Sequence, residues 1–309
     1  MIAEGALVRA KRSPRRRAGR IGIRDGRFAL LYLSPALLIF GVFTIGPALF
    51  VLYISLFDWN LLNSSLSTFV GLHNYRRLGS SPDFWHSIVT SVYFVGCVVA
   101  GSTVFGLGIA LLVSSRGLVR RMVRLAVLTP YFTPLVATSI VWVWIFNPQF
   151  GLLDSLLRLA HLPVVGWLQS TTWAMPALIF YTLWHDLGFT VIIFLAGLAT
   201  VSTDLREAAR VDGARYRHEI RDVVLPQLTQ TIVFVIVITT IDSLQAFTQI
   251  YTMTQGGPLQ ATTTTGFLLY QESFVFYHTG FGAAIAVVLF VVIALFTLLQ
   301  LRLSRSRSQ

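Results

Sequence analysis

Trp184, Asp186, Asp242, Gln245 and Gln249 are the residues of this 309-residue chain whose types and setting point to chemistry, because each lies inside a long apolar stretch. Asp242, Gln245 and Gln249 stand at i, i+3 and i+7, the spacing of one helical face. A charge at the centre of a bilayer costs about 2.5–3.5 kcal/mol on insertion scales and faces protein or water instead of lipid. Carboxylates and amides in that position accept hydrogen bonds from the hydroxyls of a polar solute, and an indole offers a flat face to stack on. The competing reading is that these groups only tie helices together, which is strongest for Asp186 with His185 beside it. No catalytic residues are assigned. Six histidines are scattered, neither HExxH nor GxSxG occurs, and the single cysteine, Cys97, allows no intrachain disulfide and no cysteine metal cluster. The only lysine is Lys11, so no phosphate-binding loop of the Walker type exists in this chain.

The elements that position these groups are set by composition. The chain is 55% hydrophobic and 12% charged, against about 25% charged in soluble domains. Six apolar stretches, near 29–57, 88–114, 123–146, 172–199, 227–252 and 281–301, reach the roughly 20 residues that a membrane crossing needs. The expected fold is all-α: a polytopic membrane protein with six transmembrane helices and both termini on one side. All of the 24 Lys and Arg residues except Arg76, Arg77 and Arg158 fall on that side, which the positive-inside rule makes cytoplasmic. Residues 1–27 then form a basic, flexible cytoplasmic tail, 28–303 the transmembrane domain with a cytoplasmic loop at 200–226, and 304–309 a second tail. Topology accounts for the Arg15–Arg17 run, which is therefore not read as a nucleic-acid patch. The first apolar stretch exceeds the 7–15-residue core of about that length in a cleaved signal and is expected to stay.

Within the first span, Pro35 and Pro47 predict kinks supported by neighbouring protein. Gly96, Gly101, Gly106 and Gly108 of the second predict close helix packing. Pro130 and Pro134 mark a hinge at the start of the third, and Leu152–Leu159 suits a short surface helix on the outer side. After the fifth span, Gly256-Gly257-Pro258 predicts a tight turn.

The segment Asp204–Leu228 is a polar island between two apolar spans. Asp204 followed by Glu207 predicts a capping box and a helix start, and Gly213 an interruption. Beyond it Tyr216, Ile220, Val223 and Val224 share a stripe, with Pro226 in the first turn of the next helix. Glu207-Ala208-Ala209, three residues, Gly213, nine residues, then Val223-x-Leu225-Pro226 resembles the EAA loop of permease subunits in binding-protein-dependent ABC importers. The outer Gly256-Gly257-Pro258 followed by Ala261-Thr262 resembles the carbohydrate-importing members, the maltose and glycerol-3-phosphate class.

The resemblance implies a non-catalytic transmembrane subunit in the inner membrane. It would move an oligosaccharide, polyol, glycerol 3-phosphate or glycerophosphodiester delivered by an extracytoplasmic binding protein. Glu207, Ala208, Ala209, Asp212, Gly213, Leu225 and Pro226 would couple it to ATP hydrolysis. The implied partners are a second permease in a heterodimer and two ATP-binding subunits. ATP and magnesium would sit on those subunits, leaving this chain without cofactor or metal. An ion-coupled secondary transporter using Asp186 and Asp242 is the alternative, but it leaves the 204–228 loop unexplained. A membrane-embedded enzyme is disfavoured by the missing catalytic set.

Overall fold

The computed structural model describes residues 23–61, 63–114 and 117–306. Most of the basic tail and the final three residues lie outside these, as does part of the turn after the second span. The chain divides into two compact units, residues 1–50 and 51–309. Helix α1 (Ile23–Phe40) continues through a π-helical turn at Gly41–Ile45 into α2 (Gly46–Ile54), and the division falls within α2. Gly46 N–H bonds to Gly41 O, five residues back. Pro47, with no N–H to give, sits just beyond this widened turn.

After α2 the second unit forms a small antiparallel hairpin, β1 (Phe57–Asp58) on β2 (Thr68–Phe69), with Phe57 opposite Phe69. Helix α3 (His73–Ser80) follows, then α4 (Pro82–Val113), capped by the Ser81 hydroxyl, which accepts from Phe84 N–H. This cap with Pro82 at the first turn starts the helix six residues before the expected 88. Helix α8 (Ala174–Ala199) packs along α4. Two of the four glycines make that contact: a Cβ on Gly101 would lie 2.8 Å from Leu183, and one on Gly106 2.6 Å from Thr190 Oγ1.

Two of the expected spans are broken. The third is α5 (Leu118–Leu128), a 3-10 turn at Pro130–Phe132, and α6 (Leu135–Ile145), with a 106° bend at the prolines. Proline removes a backbone donor and restricts the residue before it, so hinge residues expected to kink one helix instead end it. After α7 (Leu152–Leu159), α8 and α9 (Thr203–Val211), the chain runs through α10 (Tyr216–His218), a π-helical stretch at Glu219–Val224 and α11 (Leu225–Gln227). It then bends by 68° into α12 (Thr229–Leu244). The expected 227–252 helix stops at Leu244 and resumes as α13 (Thr248–Met253). Helix α14 (Thr265–Tyr270), a π-helical turn at Gln271–Val275 and α15 (Thr279–Ser306) complete the chain. Among the described residues four helices are long and apolar enough to cross a membrane, or up to six crossings result if each bent pair counts as one.

The turn after α13 is closed by hydroxyls. Thr254 and Thr262 share a hydrogen bond of 2.8 Å, Thr262 donates to Gly257 O and Thr263 to Gly256 O. Gly256 has φ +79°, and a Cβ there would stand 2.6 Å from both Phe267 Cε1 and Thr263 Oγ1. Gly256→Val is therefore expected to lower stability by about 2–5 kcal/mol, adding a left-handed backbone cost to overpacking. Thermal unfolding of the purified complex checks this, and an unchanged midpoint would refute it.

Candidate functional site: a polar cavity and the 204–228 loop

A cavity of about 240 Å³ lies where α4, α8, α12 and the interrupted third and fifth spans converge. Asp186 of α8 and Asp242 of α12 reach it, together with Gln245 and Gln249. Gln245 caps the end of α12, where its own N–H still bonds to Ile241 O, and residues 245–247 are non-helical before α13 begins. The i, i+3, i+7 alignment is thus not that of one continuous helix; the unwound turn itself brings Gln245 and Gln249 to the same cavity as Asp242. Irregular backbone at membrane depth is tolerated only where protein buries it or where it lines a cavity, and Ala246 and Phe247 of the break are cavity-lining residues.

The short helices on either side of the breaks support each other. Thr252 of α13 donates to Ser139 Oγ of α6 at 2.6 Å, and Tyr181 of α8 donates to Leu135 O at the start of α6. Asp186 accepts from His185 Nδ1 at 2.7 Å, while His185 Nε2 lies 3.3 Å from Thr133 O. Among the described residues Asp242 has no hydrogen-bond partner.

Trp184 does not line this cavity. Its ring sits 5.1 Å from Trp142 and 6.2 Å from Tyr181, against the buried core. The aromatic faces at the cavity are Tyr131, Phe189 and Phe247, with Tyr131 and Phe189 stacked at 5.3 Å. Sequence reasoning passed over them because each lies in an apolar run where an aromatic reads as core; the Pro130–Pro134 break is the signal that would have drawn attention to Tyr131.

The 204–228 segment forms helix, bend and helix as its residues suggest, with Gly213 at φ +83°. The cap differs: Ser202, not Asp204, is the N-cap residue, its hydroxyl accepting from Leu205 N–H, and Asp204 lies in the first turn near the positive helix end. Glu207, Ala208, Asp212, Gly213 and Pro226 are exposed, Ala209 and Leu225 half-buried. Of the expected stripe, Val224 is buried and Tyr216 exposed.

The buried group of this loop is one that sequence reasoning missed. Glu219 is 2% exposed and accepts from Arg206 Nε at 2.7 Å and from Arg210 Nε at 2.8 Å. Hydrogen bonding from Arg210, opposed by burial and reinforced by Arg206, holds its carboxyl below the usual glutamate range. Two arginines four apart on one face of α9 were the available clue.

Residues 102–309 match the family described as the binding-protein-dependent transport system inner membrane component. The chain is 31% identical over 287 residues to the sulfoquinovosyl glycerol transport system permease protein SmoG of Agrobacterium fabrum, covering 93% of each chain. It is 32% identical over 288 residues to the trehalose/maltose transport system permease protein MalF of Thermococcus litoralis, covering 92% of this chain and 96% of that one. A chain of the bacterial alginate ABC transporter, crystallised in complex with an alginate pentasaccharide-bound periplasmic protein, shares the fold with a TM-score of 0.80 at 21% identity. That alignment covers 92% of this chain and 96% of the other. The apolar helices, the matched family region and the full-length permease relatives together show that this chain belongs to the binding-protein-dependent inner-membrane component family, as a multi-pass ABC transporter permease of the inner membrane.

Proposed function

We propose that this chain moves a sugar or related polar solute, handed over by an extracytoplasmic binding protein, with ATP hydrolysed on separate subunits. The observation that carries this reading is the break in the fifth span at 245–247, which opens a polar turn onto a cavity walled by carboxylates, amides and aromatic rings. Discontinuous helices meeting near the midplane are the general form of a transported-solute site. The named cargoes of the relatives, trehalose/maltose and sulfoquinovosyl glycerol, support a carbohydrate class, and the alginate complex supports a binding-protein partner.

In this reading α5 with α6 is one crossing and α12 with α13 another, giving six spans with both termini cytoplasmic. The 200–226 loop then faces the cytoplasm. Glu207, Ala208, Ala209, Asp212 and Gly213 form the surface that meets an ATP-binding subunit, and Leu225 and Pro226 join it to α12. A second permease completes a heterodimer around the cavity, and two ATP-binding subunits complete the transporter.

Gln245 is exposed within the cavity, so its truncation deletes a solute contact with little effect on packing. Gln245→Ala is expected to raise the half-saturation concentration for uptake about tenfold, the scale of one lost polar contact, with the multisubunit complex still purifying intact. Loss of assembly without a change in apparent affinity would assign Gln245 to structure instead.

A further inference from the structure

A second cavity, of about 390 Å³, lies where α4 and α8 end, and its wall joins apolar side chains to two cations. Leu111 of α4 and Leu195 and Leu198 of α8 give the apolar part, while Arg124 of α5 and Arg206 of α9 give the charge. Tyr216 lies beside them on the rest of the 204–228 loop. All of these elements belong to this chain, and none of the residues assigned above to the ATP-binding surface lines the cavity.

Both guanidinium groups keep donors unused. Arg210 already holds Glu219 through Nε at 2.8 Å and Nη2 at 3.0 Å. Arg206 adds only its Nε, at 2.7 Å, so its terminal nitrogens have no partner among the described residues. Two arginines on one carboxylate leave a surplus positive charge. Arg124 donates Nη2 to Val113 O, the last carbonyl of α4, at 2.8 Å, and no carboxylate lies within 4 Å of it among the described residues. That contact also fixes its depth. The 32 residues of α4 span about 48 Å at 1.5 Å each, against roughly 40–45 Å for a bilayer with its headgroups, so the last turn stands at the level of lipid phosphates.

We infer that this cavity binds one anionic phospholipid, its phosphate held by Arg124 and Arg206 and the start of an acyl chain lying along Leu111, Leu195 and Leu198. A planar guanidinium matches two phosphate oxygens at once, and basic pockets between membrane helices at headgroup depth are the general form of such sites. The apolar wall selects lipid over a free anion, which would leave that surface wet. Phosphates line both edges of a bilayer, so the site does not depend on the solute-path reading. A lipid bound there fastens α5 to the 204–228 loop.

The test uses the complete transporter in phosphatidylcholine nanodiscs with a trace of phosphatidylglycerol carrying a photoreactive diazirine at the start of one acyl chain. Cross-links are expected in peptides covering 195–199 and 216–224. Unlabelled phosphatidylglycerol should compete about tenfold better than phosphatidylcholine, the scale of one hydrogen bond to a charged group. Arg124→Gln should lower labelling by a similar factor, whereas Arg121→Gln, on the same helix and outside the cavity, should leave it unchanged. Ala199→Trp keeps both arginines and fills an exposed position of the wall, so it should also block labelling, and it carries the test if Arg124→Gln fails to assemble. Several results would overturn the inference. One is no label in these peptides, as when a partner subunit's side chain occupies the arginines; another is equal competition by the two lipids. Equal loss in Arg121→Gln would show a diffuse basic surface, and displacement by excess inorganic phosphate as effective as by phosphatidylglycerol would assign the site to a free anion.

Discussion

Gly213→Val is expected to leave the chain in the membrane and ATP hydrolysis running while solute uptake falls roughly 5–30-fold, the effect of about 1–2 kcal/mol of backbone strain on a docking equilibrium. The strain comes from φ alone, since Gly213 holds +83° and a Cβ there would meet nothing within 4 Å. Gly213→Asn should therefore be tolerated, because asparagine enters the left-handed region far more readily than valine. Glu207→Lys probes the same surface differently. The cap is supplied by Ser202, and Glu207 is exposed with no hydrogen bond among the described residues, so charge reversal should spare the helix and act on the partner it faces. The checks are uptake and stimulated ATPase activity in reconstituted vesicles. Normal values of both in Gly213→Val and Glu207→Lys would remove the coupling role from this loop.

Glu219→Ala should have the second large effect. Helix α9 has nine residues, below the roughly 12–15 at which an isolated helix holds in water, so it depends on tethering. Its tether is one buried carboxylate gripped by Arg206 and Arg210, four residues apart on the same face. Without it, amide protection across Thr203–Val211 is expected to fall about tenfold in hydrogen exchange, the scale of a hydrogen bond to a charged group shared with water. Unchanged protection would show that the tether contributes nothing. The pH dependence follows from the lowered pKa of Glu219. A depressed carboxyl contributes its full stability above the unfolded value of about 4.3 and loses it as pH falls through the lower folded value. Loop protection in the wild type should therefore be flat through neutral pH and drop only in acid.

Hydropathy made the long apolar elements legible because it sums over many residues, and α4, α8 and α15 needed nothing more. Leu152–Leu159 was legible as a helix from its own pattern. The breaks were not. A window average over 227–252 stays apolar whether or not the chain loses its helical bonds at 245–247, and no proline or glycine marks that site. At 129–134 the prolines were read as a hinge, yet sequence does not say whether a hinge bends by 20° or by 106°. The cavity inherits both uncertainties: its carboxylates and amides stood out as polar residues in an apolar setting, whereas its aromatic walls acquire meaning only when the breaks fold together. Glu219 was hidden because one acid among exposed arginines looks like a solvated face.

The contact between α4 and α8 also limits how this sequence can drift. At Gly106 and Thr190 one small volume is shared by two positions on different helices, since any atom added to the glycine would lie 2.6 Å from the threonine hydroxyl. Neither position is free to grow alone. Enlargement at 106 becomes acceptable only alongside loss at 190, whereas opposite Gly101 the contact is with the end of the Leu183 side chain, which can turn aside. Changes at 106 and 190 are thus coupled, and a chimera joining α4 of one permease to α8 of another keeps this contact only where the residues at the two positions fit together.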